Sequence, residues 1–114
     1  MVDILNMFKG LNAAIVASDA DFKIIYQNEK CRQLFKQEFG TADYIGRYIY
    51  ECHKAETTVK VKTFFQEYIE KKRNLDYYVM DEADGKITVV NVPFYNNEGE
   101  FAGVVEFIFE SSLV

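Results

Sequence analysis

The sequence predicts an α+β fold: a five-stranded antiparallel sheet with helices packed on one face and an N-terminal amphipathic helix. The hydrophobic pattern changes along the chain from helical to two short strands, back to helical, and finally to three strands. Turn sequences rich in Gly, Asp and Asn separate the strands, which favours antiparallel hairpins. The chain has 114 residues, 49% of them hydrophobic, so it can form one core in a single domain.

The N-terminal part predicts a short helix followed by a hairpin. Residues 2–11 place apolar side chains near helical spacing, and Gly10 ends this pattern. Apolar runs at 14–18 and 22–26 then flank the acidic turn 19–21, which predicts a β-hairpin. Because the first helix cannot bury its apolar face alone, we expect it to pack on the sheet or on a second copy of the chain.

Two further helices are expected in the middle of the chain. Asn28 can cap a helix over 29–39, because its side-chain oxygen can accept an unpaired amide of the first turn, and Gly40 suits the helix end. Residues 41–56 are expected to be irregular, and the longest helix is predicted over 57–72. Its apolar stripe contains Val61, Phe64, Phe65, Tyr68 and Ile69.

The last third predicts three antiparallel strands. The turn 83–85 joins strands 75–82 and 86–95, and the turn 96–99 leads into a strand over 101–110. In the last strand one face is solidly apolar and the other is mixed. The apolar face carries Phe101, Gly103, Val105, Phe107 and Phe109, and the mixed face carries Ala102, Val104, Glu106, Ile108 and Glu110.

Composition excludes several classes of protein. With 13 basic and 18 acidic residues the net charge is −5, which argues against a nucleic-acid partner. No apolar run approaches the ~20 residues of a membrane span, and the N-terminus lacks the features of a secretory signal. Cys31 and Cys52 are too few for a disulfide scaffold. We therefore expect a cytoplasmic protein without a membrane or nucleic-acid partner.

Four sequence segments, in this order and spacing, resemble those of a PAS domain. They are Ile24–Phe35, with the string IIYQNEKCRQLF, the turn Ile45-Gly46-Arg47, the hairpin sequence Asp84-Gly85-Lys86, and the segment NEGEFAG at 97–103. The resemblance covers about residues 10–110. Residues 46–62, with Cys52-His53, further resemble PAS domains of hemerythrin-associated sensor proteins, although Lys54 stands where those carry proline.

The resemblance implies a sensory module that holds a small ligand between the sheet and the long helix, or that serves as a dimerisation and docking surface. It divides the chain into a dimerising helix over 1–11, a single PAS domain over 12–110 and a tail over 111–114. A homodimer is expected, together with an effector domain or signalling protein as partner. The family's Asp-Ile-Thr-like junction to an output helix is missing, so we expect either a stand-alone domain or a piece of a larger sensor.

His53 is the only histidine and therefore the candidate for a metal-bound cofactor. Its imidazole could be the axial ligand of a haem iron, which would make the protein a gas or redox sensor. The alternative is a surface or helix-capping histidine. Flavin photochemistry is disfavoured, because the LOV type of PAS domain has a cysteine three residues after its glycine, and Ile49 occupies that place after Gly46.

Aromatic residues make up 16% of the chain and are the candidates for a ligand pocket. The segments that would flank such a pocket carry Phe35, Phe39, Tyr48, Phe64, Phe65 and Tyr68. From the sheet, Tyr77, Val90, Val92, Val105 and Phe107 could face them, with Asn91 as a polar anchor. We expect these side chains to fill the core or enclose a small cavity rather than to hold a large planar cofactor.

Catalytic motifs are missing. The sequence has no carboxylate pair in a context suited to acid–base chemistry, no zinc-ligand spacing, no glycine-rich phosphate loop and no nucleophile elbow. We therefore expect no enzyme. Three hypotheses stay open: a ligand-binding sensor, a haem sensor using His53, and a ligand-free interaction module.

Overall fold

In the part of the chain that the structure describes, three α-helices and five strands form the domain, as the sequence predicts. The computed structural model describes residues 3–52, 55–82 and 85–110. The helices are α1 (Ile4–Lys9), α2 (Glu29–Phe39) and α3 (Ala55–Ile69), with a 3-10 helix at Ile49–Cys52. The strands are β1 (Ala14–Asp19), β2 (Ile24–Gln27), β3 (Asp76–Glu82), β4 (Gly85–Tyr95) and β5 (Phe101–Phe109). They form one antiparallel sheet in the order β2-β1-β5-β4-β3.

The ends of α2 are set by the two residues that the sequence singles out. Asn28 has an extended backbone, and its side chain accepts a hydrogen bond from the Cys31 amide. Gly40 follows the helix with a φ of 79°, the left-handed conformation that glycine adopts without a steric penalty. The predicted limits 29–39 are therefore confirmed.

The long helix differs slightly from the prediction. It spans 55–69 rather than 57–72, because Lys71 adopts a φ of 59° and the chain turns toward β3. Ile69, the last member of the predicted stripe, is exposed. Of the helices in the described residues, none is long and apolar enough to cross a membrane. The predicted tail at 111–114 and most of the predicted turn 83–85 lie outside the described residues.

The face of β5 that packs under the helices is the mixed one. Val104 packs with Phe65 and Tyr68 of α3, and Ile108 belongs to the core cluster around α2. The prediction that Val105 and Phe107 face the helices is therefore wrong. Because a strand's side chains alternate, those two residues lie on the opposite face of the sheet.

Candidate functional site

A cavity of about 470 Å³ lies between α3 and the sheet. Its aromatic lining comes from Phe35 of α2 and from Phe64, Phe65 and Tyr68 of α3. The aliphatic lining consists of Val16, Ile24, Ile49, Val61 and Val104. Protein interiors are normally packed to the density of organic crystals, so a partly open space of this size beside buried side chains separates the region from an ordinary core.

One row of polar side chains faces the cavity from the sheet. Asp76 of β3, Asn91 of β4 and Glu106 of β5 are directly opposite one another in the strand register, and all three line the cavity. The same row continues through Val16 of β1 to Gln27 of β2. Residues opposite one another in a sheet project from the same face, so the register brings two carboxylates and an amide together.

Among the three polar residues of this row that line the cavity, Asp76 is the most buried, with only 8% of its surface exposed. The Tyr68 hydroxyl donates a hydrogen bond to Asp76 Oδ1, and Asn91 Nδ2 donates to Oδ2 over 3.3 Å. Burial, and secondly the hydrogen bond to Asp76, raise the pKa of the Tyr68 phenol well above its ordinary value. Tyr68 therefore remains a neutral donor, and it connects α3 to the first residue of β3.

Tyr78 and Arg73 lie at more exposed parts of the lining. Burial, followed by the charges of Glu106 and Asp76, raises the pKa of the Tyr78 phenol. Arg73 Nε is 2.8 Å from Glu67 Oε2, and its guanidinium lies 4.2 Å from the centre of the Phe64 ring. This ion pair and stacking contact fix Arg73 against α3.

The predicted pocket residues divide into two groups. Phe35, Phe64, Phe65, Tyr68 and Asn91 all line the cavity. Two others are not among the lining residues: Phe39, which is exposed and packs beside Tyr44, and Tyr48, which is exposed and stacks on Tyr50 with 5.2 Å between ring centres.

His53 lies outside the described residues, as does the side chain of Cys52. Among the described lining residues there is no histidine, cysteine or methionine. Nor do the described parts of the chain bring three His, Cys, Asp or Glu side chains together in a group suited to a metal ion. The described part of the cavity therefore offers none of the common nitrogen or sulfur ligands of haem iron.

Four of the six sheet residues that the sequence interpretation placed at the cavity are not among its lining residues. Tyr77 lines it, but Val90, Val92, Val105 and Phe107 do not. Asp76, Glu106, Tyr78 and Arg73 line it and were not predicted. The hairpin register could have identified Asp76, because pairing Glu82 with Gly85 puts Asp76 opposite Asn91. Glu106 could have been identified as the one charged residue within the apolar strand β5.

Several solved structures share this fold. A C-terminal domain from Streptococcus mutans has a TM-score of 0.73 and 21% identity, covering 90% of this chain and 78% of that one. The PAS domain of a protein from Colwellia psychrerythraea has a TM-score of 0.68 and 22% identity, with 94% and 96% covered. A sensory box sensor histidine kinase from Vibrio cholerae has a TM-score of 0.62 and 14% identity, with 93% and 86% covered. At these identities the likeness concerns the fold alone.

Sequence comparison supplies the family. Among curated proteins, none matches the chain. A family profile described as PAS domain, however, matches residues 4–111, which is nearly the whole sequence. Together with the sheet order and the helices on one face, this match shows that the chain belongs to the PAS domain family.

Proposed function

We propose that this PAS domain is a sensory module that binds a small organic ligand in the cavity between α3 and the sheet. The observation that carries the proposal is the cavity itself, whose aromatic walls enclose a row of polar side chains. Its volume of about 470 Å³ falls within the range of about 300–1,000 Å³ that is typical of small-molecule sites. A few polar groups in an apolar enclosure are what fixes the orientation of a bound molecule.

The cavity is connected to elements that could carry a signal to an effector domain or signalling partner. Tyr68 bonds to Asp76 through its hydroxyl, and its backbone carbonyl accepts a hydrogen bond from the Tyr95 hydroxyl over 3.2 Å. A ligand that contacts Asp76 would compete for the hydrogen bond of Tyr68, the residue through which α3 is bonded to both β3 and β4. Such a ligand shifts the population of two states only if it binds them unequally.

Native mass spectrometry of the protein purified from cells tests the proposal. We expect an additional mass that is lost in Val61→Phe, because this side chain lines the cavity and a phenyl ring would occupy the space. The control is Val59→Phe, an identical change at an exposed position of the same helix, which should retain the ligand. Absence of any bound mass, or equal retention by both variants, would favour the ligand-free interaction module.

We also propose that the domain forms a homodimer through α1. None of the α1 residues is buried, and Ile4 and Leu5 are 67% and 74% exposed. A second copy would remove this apolar surface from water. Light scattering is expected to show a dimer for the full chain and a monomer for a chain lacking residues 1–9. A shortened chain that stays dimeric would contradict the role of α1.

The haem alternative rests on His53 and is tested by absorption spectroscopy. We expect the absorption spectrum of the purified protein, before and after addition of hemin, to lack a sharp Soret band, because the described cavity offers no histidine, cysteine or methionine ligand. A Soret band that disappears in His53→Ala would instead establish the haem sensor.

A further inference from the structure

The charge of the cavity indicates what kind of ligand it selects, an inference that rests on the proposed function. Asp76 and Glu106 face the cavity on either side of Asn91. An anionic ligand in contact with this row would be repelled by two carboxylates. A ligand with a positive charge would be attracted by both of them.

The hydrogen-bond partners of Asp76 are both neutral. They are the Tyr68 hydroxyl and the Asn91 amide. Within residues 3–52, 55–82 and 85–110, no lysine or arginine nitrogen comes within 4.0 Å of the Asp76 carboxylate. Burying a charged carboxylate without a cation beside it costs free energy. Each oxygen of the Asp76 carboxylate can also accept a further hydrogen bond.

The two cations of the described lining form no ion pair with Asp76, although the Arg73 guanidinium lies near enough to interact with its charge. Arg73 is paired with Glu67, and Lys60 is exposed to solvent. After burial, the charges of Glu106 and Asp76 both help to raise the pKa of the Tyr78 phenol, which lines the same cavity. The Phe64 ring already stacks with the Arg73 guanidinium and Phe65 stacks on Phe22, so these rings offer apolar contact to a ligand.

We propose that the cavity selects a small organic amine, whose protonated nitrogen lies beside Asp76 and within reach of the Glu106 charge while its apolar body packs against Phe64 and Phe65. The ammonium group supplies the cation that the buried carboxylate lacks. The apolar body displaces water from the aromatic wall.

Three probes of nearly equal size and different charge test this proposal: phenethylamine, phenethyl alcohol and phenylacetate. Binding is followed by the changes in amide chemical shifts of cavity residues in NMR titrations of the full chain. We expect phenethylamine to bind at least about tenfold more tightly than the alcohol, and phenylacetate to bind most weakly. Asp76→Asn should weaken the amine about tenfold and leave the alcohol unchanged.

Asp43→Asn is the control, because it removes one negative charge from an exposed aspartate whose side chain is not part of the cavity. It should leave the affinity of all three probes unchanged. Equal affinity for the three probes, a preference for phenylacetate, no shift with any probe, or an amine preference that survives Asp76→Asn would each overturn the proposal. A bound mass of a neutral or anionic compound, lost in Val61→Phe, would overturn it too while leaving the sensory function standing.

Discussion

The two halves of the domain use buried polar side chains in opposite ways. In the half formed by α2, β1 and β2, which we call the packed half, Asn28 and Gln27 bond to backbone groups. Asn28 accepts from the Ile15 and Cys31 amides and donates to the Ala13 carbonyl. Gln27 accepts from the Tyr44 amide. Apart from the helix cap on Cys31, these bonds join segments 13 to 17 residues apart, so both residues stabilise the fold.

In the half formed by α3 with β3, β4 and β5, which we call the cavity half, polar side chains bond to one another. The side chains of Tyr68, Asp76 and Asn91 form such a chain. They line the cavity and do not bond to backbone groups. A buried polar group that the backbone does not need is available to a ligand. The comparison therefore separates residues that maintain the fold from residues that are suited to recognition.

The largest expected effect concerns apolar packing. Ile15→Ala should lower the free energy of unfolding by about 3–4 kcal/mol, because Ile15 of β1 is 3% exposed and does not line the cavity, so its loss leaves a new void. Val61→Ala removes methyl groups beside space that is already empty and should cost about 1–2 kcal/mol. Urea denaturation measures both. Equal losses would contradict the distinction between the two halves.

The next effect concerns a polar residue of the packed half. Asn28→Ala should cost about 3 kcal/mol, because it removes a helix cap and leaves buried backbone groups unpaired. Asn96→Ala is the matched control. Asn96 also accepts two backbone amides, those of Glu98 and Glu100, but in an exposed turn where water can replace it. There we expect less than about 1 kcal/mol, and similar values for the two variants in urea denaturation would refute the argument.

A pH effect follows from Cys31, which is fully buried. Burial raises the pKa of its thiol from 9.0 to about 11, although Gln27 donates a hydrogen bond to the sulfur. Since the folded protein holds this proton more tightly, stability is unaffected below pH 9 and falls by about 2–3 kcal/mol as the pH rises to about 11. Urea denaturation at several pH values should give a shallower decline for Cys31→Ala. An unchanged slope would show that the thiol ionises equally in both states.

The smallest stability effect is expected at the centre of the cavity half. Asp76→Asn should change the free energy of unfolding by less than about 1 kcal/mol, because the amide oxygen can still accept the Tyr68 hydroxyl, the Asn91 amide can turn its oxygen toward the new NH2 group, and the desolvated charge is gone. The same urea experiment measures it. A loss as large as that of Asn28→Ala would make Asp76 a structural residue, and the contrast between the halves would fail.

Local features of the fold could be predicted from the sequence alone, because nearby residues determine them. Asn28 caps α2 through an amide three residues away, and Gly40 ends the helix by its own backbone conformation. The apolar stripe of α3 likewise identified Phe64, Phe65 and Tyr68, since helical spacing shows which side chains share a face. The aromatic cavity residues of α3 could therefore be predicted from the sequence.

The sheet's contribution to the site was decided by the tertiary structure. Both faces of β5 carry apolar residues, so periodicity could not show that Val104 and Glu106 face the helices while Val105 and Phe107 face away. Nor could it show that Asp76, Asn91 and Glu106 meet, because that depends on the register of two hairpins. The order and type of the elements and the ends of α2 could be predicted, because they depend on neighbours along the chain. The carboxylate row and the cavity above it depend on pairing between strands distant in sequence, and only the folded chain fixes that pairing.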